Sequence, residues 1–566
     1  MSLKKNVTLG LSIGRIRDDD GKFRIFIRAL DKHGDDTKET IPKTLVPAYA
    51  EYVYVETLRD NVWVTDVDRH DELVSTYPQI TRRVPPEILH IINDTTGKVD
   101  VSAHNLPPMY DQLRDLQKAD VRFLIERGGR GMNGGEMGTG KTATGICLSE
   151  YYDSHQPQLI VCPAGLRCNW KHEFKKFTHR DDVHIVENGQ SDFRPDARNI
   201  ISYSLLSTPK IRAKLCPFKV IIMDESHYIK SRTSQRTKLL LKLAKKAEKV
   251  ILLTGTPSSK SADLFTQLKA IDPDNFTTFF PYLGRGANKS FYFASRYCHP
   301  TKVRINRTQF AYTFNGNDHS WELHAVLSKY MTRSTKSQAL KGLPPKTREK
   351  IVVHEASKQR KRQFESDLQS VEALREEKGA RAAEFKLMEL VHETAKLKLK
   401  SVITYVKHVI DRDDSLKYLV FAHHRIVLDA LVELMTSTKQ EFITIDGRTS
   451  TSKRQALVDR FQNDDDNVKF AVLSIRAAGV GLNFFKGHVV IFTELLWSEK
   501  DHIQAEDRIH RHGVQHPVLV QYLIMTGSTD EVIWRTLNGK VRSAGAVVDN
   551  KRTFLQTDMC STFDKE

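Results

Sequence analysis

The feature that most constrains this chain is a strand-and-loop rhythm that runs twice. Between Gln117 and Ile271, short apolar runs alternate with helical patterns: Leu159-Ile160-Val161, Ile200-Ile201, Val220-Ile221-Ile222 and Val250-Ile251-Leu252-Leu253. Each run ends at polar, Gly or Pro residues. That is the pattern of a parallel α/β sheet whose functional loops sit at the strand ends. It restarts at Tyr418-Leu419-Val420-Phe421 and continues through Phe442-Ile443-Thr444-Ile445, Phe470-Ala471-Val472-Leu473 and Val489-Val490-Ile491-Phe492. A chain of 566 residues is too long for one compact core. Two α/β lobes are therefore expected.

Around them, residues 1–104 read as a small α+β region, with Val53, Val55, Trp63, Val64 and Val67 in strand-like runs broken by Asp60-Asn61. Ser357 to Thr394 is charged and helical, with Phe364, Leu368, Val371 and Leu374 at spacings of four and three. This predicts a helical protrusion at the lobe junction rather than a free coiled coil. The expected division is 1–104 accessory domain, 105–335 first lobe, 336–400 linker and protrusion, 401–546 second lobe and 547–566 tail. The clusters Asp18-Asp19-Asp20 and Asp464-Asp465-Asp466 read as solvated turns. No apolar run approaches the roughly 18 residues that span a bilayer, and Met1 to Gly10 lacks a signal-peptide core. The expectation is a soluble intracellular protein with no membrane partner. Six cysteines without a Cys-x-x-Cys pair argue against zinc modules and a disulfide framework. The net charge of +17 favours a polyanionic partner, because neutralising phosphates releases condensed counterions. Lys358 to Arg362 (KQRKR) reads either as a nuclear-import signal or as a solvated helix start.

Four short stretches carry chemistry. Gly135, Glu136, Met137, Gly138, Thr139, Gly140, Lys141 and Thr142 spell GEMGTGKT, a full match to G-x-x-x-x-G-K-[ST]. The glycines let backbone N–H groups close around phosphates, Lys141 reaches the β/γ-phosphates and Thr142 can hold Mg²⁺. The strand expected before this loop is poor, since Gly131-Met132-Asn133-Gly134 is hardly apolar. VIIMDESH (220–227) is an apolar strand delivering two carboxylates, Asp224 for Mg²⁺ and Glu225 for the attacking water. LTGTP (253–257) offers small hydroxyl residues that can bond both the acidic motif and a phosphate chain. In QAEDRIHR (504–511), Arg508 and Arg511 lie three apart on one helix face, the spacing for two arginine fingers reaching across a cleft. The plain alternative is a surface salt-bridge face with Glu506 and Asp507. The histidines nearby (His502, His510, His512, His516) lack the ligand set that would complete a metal site.

Taken together, residues 113 to 545 resemble the Swi/Snf-like helicase-related ATPases of superfamily two. Gln117, with Val121 and Phe123, sits where that family has its adenine-reading glutamine. LIVCPAGL (159–166) with Trp170, ISYSLL (201–206), GLPPKTR (342–348), LVFAHH (419–424), IDGRTS (445–450) with Arg454, VLSIRAAGVGLN (472–483), TELLW (493–497) and GSTDE (527–531) match further motifs in family order. DESH, FAHH and QAEDRIHR look like the annealing-helicase branch, both HARP-type and zinc-finger members. Trp63 to Val74 faintly resembles the HARP module, with an unrelated accessory domain as the alternative. Four positions depart from the family pattern. Gly135 replaces a usual Asp, Thr139 a usual Leu, Ser334 the second Arg of an Arg-Arg-x-Lys stretch, and Val514 a Gln. Ser334 is expected to weaken a contact between the lobes.

The resemblance implies two RecA-like lobes with ATP and Mg²⁺ in the cleft, acting on duplex or forked DNA with low sequence specificity. A single-strand binding protein is an expected partner, and the expected location is nuclear in a eukaryote or a viral replication compartment. Residues 1–104 are the expected source of junction preference, separable from the motor. Rival readings are a strand-separating helicase or chromatin remodeller and, from another class, a non-hydrolysing DNA-binding scaffold.

Overall fold

A computed structural model describes residues 8–563 except 16–21, 31–40, 42–45, 48, 56–59, 78–79, 95–100, 102–105, 258–259, 280–291, 305–309, 341, 355–356, 379, 413–414, 476–481, 512 and 550–558. The cluster Asp18-Asp19-Asp20 and residues 476–481 of VLSIRAAGVGLN lie outside the described residues.

Three sheets organise the chain. The first contains β1 (Thr8–Arg15), β2 (Phe23–Leu30), β3 (Glu51–Val55), β4 (Asp60–Asp66) and β5 (Ile80–Arg82), in the order β3-β4-β2-β1-β5. The second is built from β6 (Arg130–Asn133), β7 (Gln158–Cys162), β8 (Val183–Ile185), β9 (Arg198–Ser202), β10 (Val220–Asp224) and β11 (Lys249–Leu253). After a hairpin, β12 (Pro300–Arg304) and β13 (Phe310–Phe314), it is completed by β14 (Met331–Thr332). Its order is β14-β6-β11-β10-β7-β9-β8, and every ladder is parallel. The third sheet takes β15 (Lys346–His354), β16 (Tyr418–Ala422), β17 (Phe442–Ile445), β18 (Phe470–Ser474), β19 (Val489–Phe492), β20 (Val518–Met525) and β21 (Met559–Thr562). It is also parallel throughout, in the order β17-β18-β16-β19-β20-β15-β21. These are two RecA-like lobes. The third sheet reaches beyond the expected span of the second lobe, taking β15 from the segment expected as linker and β21 from the segment expected as tail. Between β15 and β16, the helices Lys358–Lys378 and Ala380–Asp411 pack on each other, burying Phe364 and Val371.

Alternation along each strand builds the cores, because successive side chains point to opposite sheet faces. Leu159, Val161, Ile221, Met223, Val250 and Leu252 enter one cluster, while Ile160, Val220, Ile222, Ile251 and Leu253 enter the cluster on the other face. In the second lobe Leu419, Phe421, Leu473 and Phe492 separate in the same way from Tyr418, Val420, Val472 and Ile491.

One polar strand departs from that rule. β6 carries Arg-Gly-Met-Asn yet lies inside the sheet, between β14 and β11. Its polarity is used. Arg130 donates to the carbonyls of Ile271 and Ala247 at 2.7 Å, Ala270 at 2.9 Å and Ala244 at 3.2 Å, at or just past the C-terminal ends of two helices where a cation is favoured. Asn133 donates to Asp120 Oδ2 at 2.9 Å and accepts from Gly135 N at 2.9 Å.

The N-terminal sheet packs directly on the first lobe. Leu9, Leu11, Ile13, Ile25, Ile27, Ile88 and Ile91 belong to the same continuous core as Leu323, Val326 and the first-lobe strands. At the seam, Glu322 is fully buried, accepting from Ile13 N at 3.1 Å, Arg296 Nη2 at 2.7 Å and Tyr297 OH at 2.9 Å. Arg296 also donates to the Leu11 carbonyl at 2.9 Å. The segment expected as an accessory domain thus shares one core with the first lobe.

The last helix, Thr529–Val548, crosses the other way. It starts in the second lobe, but Val547 and Val548 pack in the first-lobe core.

Candidate active site: the interlobe cleft

A cavity of about 630 Å³ opens between the lobes, lined from the first by Gln117, Met137, Gly138, Gly140, Lys141, Thr142, Asp224 and Glu225, and from the second by Asn483, Gln504, Arg508 and Arg511. Gly135, Glu136 and Thr139 do not line it and instead shape the loop from behind.

The GEMGTGKT loop joins β6 to the helix Lys141–Tyr151. Lys141 Nζ donates to the carbonyls of Gly135 at 2.8 Å and Glu136 at 2.9 Å, closing the loop on its own amine. Burial lowers its pKa against the pull of Glu225 and Asp224. Gly138 and Gly140 take φ of 81° and 86°, the left-handed region open to glycine. At Gly135 the reason for glycine is steric. A β-carbon there would lie 2.8 Å from Thr139 Oγ1 and 3.0 Å from Asn133 Oδ1. The two departures from the family pattern in this loop thus occupy one space: Thr139 fills it, and its hydroxyl donates to the Glu136 carbonyl at 2.8 Å.

Gln117 Nε2 donates to the Gly140 carbonyl at 3.0 Å, and Gln117 Oε1 accepts from Arg114 N at 3.0 Å. The glutamine thereby braces the back of the phosphate loop at the rim of the cavity.

Asp224 ends β10 and is buried. Its Oδ2 accepts from Trp170 Nε1 at 2.8 Å and its Oδ1 from Glu225 N at 3.0 Å. Burial and the adjacent Glu225 carboxylate raise its pKa above the usual range. Burial also disfavours charge on Glu225, but His227, Lys141 and Arg508 outweigh it and hold that carboxylate low. Two adjacent buried carboxylates, one of them raised, fit a divalent cation that would supply the missing positive charge, with the Thr142 hydroxyl on the same cavity wall. His227 Nδ1 lies 3.2 Å from Glu225 Oε2 and 3.3 Å from Thr254 Oγ1 of LTGTP. Ser226, the serine of DESH, donates to Gln267 Oε1 at 2.7 Å, and Gln267 Nε2 donates to the Pro257 carbonyl at 2.6 Å.

From the second lobe, Arg511 approaches the phosphate loop: a β-carbon on Gly138 would lie 3.9 Å from Arg511 Cγ. Arg511 donates to the Asp507 carbonyl at 2.6 Å and to Asn483, and Arg508 Nη1 to the Leu482 carbonyl at 3.3 Å. Burial lowers the pKa of both guanidinium groups.

Sequence reasoning underrated the two acids just before Arg508. Glu506 is 0% exposed and Asp507 3%, so they form no surface face. Glu506 accepts from Arg348 Nε at 2.7 Å, Arg348 Nη2 at 2.6 Å, Lys346 Nζ at 2.7 Å and Tyr522 OH at 2.6 Å. Asp507 pairs with Lys336 at 2.6 Å and Lys346 at 3.1 Å. GLPPKTR supplies Lys346 and Arg348, and that match was the available signal. Lys336 spans the lobes, as does Arg333, which pairs with Asp549 at 2.7 Å and donates to the Gly134 carbonyl at 2.5 Å. Ser334 is buried behind the loop, with its carbonyl accepting from Glu136 N at 2.8 Å. Bridging between the lobes thus runs through its neighbours Arg333 and Lys336. Val514 packs in the second-lobe core. His502 is fully buried, with Nδ1 2.9 Å from the Ser498 carbonyl and Nε2 accepting from Leu496 N at 3.3 Å, so both ring nitrogens are engaged as a core histidine.

The SNF2-related domain family matches residues 116–403, half of the chain, and the helicase conserved C-terminal domain matches residues 398–513. The chain is 36% identical over 459 residues to the DNA annealing helicase and endonuclease ZRANB3 of Mus musculus, a match covering 79% of this chain and 41% of that protein. It is also 36% identical over 465 residues to the SWI/SNF-related matrix-associated actin-dependent regulator of chromatin subfamily A-like protein 1 homolog of Caenorhabditis elegans, covering 80% of this chain and 64% of that one. A solved Sulfolobus solfataricus SWI2/SNF2 ATPase core in complex with dsDNA aligns with a TM-score of 0.35 at 21% identity, over 80% of this chain and 94% of that one. The matched part is about two fifths of the ZRANB3 relative's length. With the family's own domain matched over half of its length and the helicase C-terminal domain following it, the chain belongs to the SNF2-related family.

Proposed function

We propose that this chain is a DNA-dependent ATPase that converts ATP hydrolysis in the cleft into translocation on DNA, remodelling or reannealing branched DNA during replication or repair. The observation that carries the reading is that Arg508 and Arg511 of one lobe line the same cavity as Lys141, Thr142, Asp224 and Glu225 of the other. Gln117 reads adenine at the cavity rim, and the loop amides that line the cavity, from Gly138, Gly140, Lys141 and Thr142, cradle the phosphates with the Lys141 amine, while Gly135, Glu136 and Thr139 hold the loop's shape. Thr142 and Asp224 hold Mg²⁺, which supplies charge neutralisation on the phosphates when bound. Glu225, kept ionised by His227 and Lys141, orients the attacking water and takes its proton. The two arginines stabilise the charge that develops on the transferred phosphoryl group, so hydrolysis requires both lobes.

The annealing-helicase relatives and the +17 charge support a DNA substrate gripped through its backbone. A single-strand binding protein is the partner that fits reannealing, and the location that goes with this activity is intracellular, nuclear in a eukaryote. Among the described residues no helix is long and apolar enough to cross a membrane.

Phosphate release measured with forked, duplex and single-stranded DNA tests the reading. Forks should stimulate most, and strands held apart by a single-strand binding protein should reanneal. Glu225→Gln should still bind ATP and hydrolyse it at least about 100-fold more slowly. ATP-driven unwinding of blunt duplex without reannealing would favour a strand-separating helicase. Near-wild-type turnover by Glu225→Gln would remove Glu225 from the mechanism.

A further inference from the structure

A second bridge joins the lobes at a residue that the family motifs leave unassigned. Lys500 opens the helix Glu499–Glu506 of the second lobe and is 5% exposed. Its Nζ donates to the Thr256 carbonyl in the LTGTP segment of the first lobe at 3.0 Å. Thr256 N donates in turn to Thr254 Oγ1 at 3.2 Å. That hydroxyl lies 3.3 Å from His227 Nδ1, and the same ring nitrogen is 3.2 Å from Glu225 Oε2. Glu225 Oε2 takes no hydrogen bond among the described residues, so His227 Nδ1 is its close polar neighbour. A run of close polar contacts, passing through the Thr256 backbone, therefore leads from the second lobe to the Glu225 carboxylate.

The bridge has an unusual electrostatic character. Among the described residues the Lys500 ammonium meets no carboxylate within ion-pair distance, so a buried cation rests on a neutral carbonyl. Burial and Lys230 push its pKa down to about 8, against Asp263, Glu499 and Glu225. Between the lobes the charge is less favourable than in water, and the Thr256 carbonyl offsets part of that cost, a contact that requires the lobes to be together.

We propose that Lys500 is a positioning residue that reports lobe closure to Glu225 through Thr256, Thr254 and His227, so that DNA which brings the lobes together also aligns the base. The inference rests on the reading of Glu225 as the base of a DNA-stimulated ATPase.

The test is a set of full-length variants, Lys500→Met, Lys500→Arg, Thr254→Val and the Lys500→Met/Thr254→Val double, assayed for DNA-stimulated phosphate release. Lys500→Met should lower the DNA-stimulated kcat about tenfold, the scale of a small misplacement, with the ATP KM and DNA affinity within about twofold. In the Thr254→Val background the same change should add almost nothing, because the path is already cut. Lys500→Arg keeps a charge and donors for the Thr256 carbonyl, so it should fold as wild type does and retain most of the stimulated rate that Lys500→Met loses. Multiplicative effects in the double variant, or a loss in Lys500→Arg as large as in Lys500→Met, would overturn the proposal. So would weakened DNA binding with a shallower salt dependence in Lys500→Met, which would make Lys500 a phosphate contact. A wild-type chain with no DNA stimulation would fail the ATPase reading itself.

Discussion

Glu506→Gln tests whether a buried charge cluster holds the arginine helix in place. The substitution conserves shape but removes the charge that meets four donors, two from Arg348, one from Lys346 and one from Tyr522. Breaking a buried ion pair from one side costs about 3–5 kcal/mol, because the remaining charge stays buried. Lys346 keeps Asp507 at 3.1 Å, which trims the loss to the lower end, about 3 kcal/mol. For a cooperative unit of roughly 150–250 residues, each kcal/mol moves Tm by about 2–4 °C, so the second-lobe transition should fall by about 6–12 °C. Calorimetry of the whole chain reads this directly. Arg460→Ala removes an exposed pair with Glu441 and serves as the control, at less than about 1 kcal/mol. The pH dependence has a fixed sign. Burial opposes the Glu506 charge, but Arg348 and Lys346 hold its carboxyl far below the unfolded value of about 4.3. Its contribution is therefore complete above that value and is lost as pH falls toward the folded pKa. The Tm gap between wild type and variant should stay constant from about pH 5 to pH 8 and narrow below about pH 4. A variant melting within about 2 °C of wild type at neutral pH would refute the reasoning.

Arg508→Ala and Arg511→Ala should each leave ATP affinity within a few fold and abolish DNA-stimulated hydrolysis, since groups that meet transition-state charge act little on ground-state binding. Full stimulation in both variants, read by phosphate release, would exclude the finger role. A chain lacking residues 1–104 should be recovered aggregated, because the cut exposes the Leu323 and Val326 core and strips the Ile13 and Leu11 partners from Glu322 and Arg296. A soluble truncation with intact duplex-stimulated ATPase would contradict the shared core.

The parts legible in the sequence are those in which chemistry and local structure coincide. GEMGTGKT, DESH, LTGTP and QAEDRIHR each occupy one strand end or one helix, so a few adjacent residues define both the position and the task. The parts that were not legible depend on partners distant along the chain. Arg130 makes β6 look unlike a strand until the carbonyls of Ala244, Ala247, Ala270 and Ile271 are seen to receive it. Glu506 and Asp507 have the composition of a solvated face, and only Lys336, Lys346 and Arg348, brought from far upstream, turn them inward. Gly135 and Thr139 were recognisable as departures from a pattern, but not as one compensating pair, because their contact is a matter of loop shape. The sequence suggests a boundary near residue 104, whereas one core cluster holds residues from both sides of it, from Leu9 to Leu323.

The return of the last helix to the first lobe has a mechanical consequence. The chain leaves the first lobe through Arg333 and Lys336, and comes back to it at Val547, Val548 and Asp549. Two bodies joined at a single point can swing and twist freely, but a second anchorage leaves rotation about the line through both as the low-energy freedom. Arg333 grips both ends at once, holding Asp549 and the Gly134 carbonyl next to the phosphate loop. A line through the two anchorages passes beside Gly134, and so beside the phosphate loop.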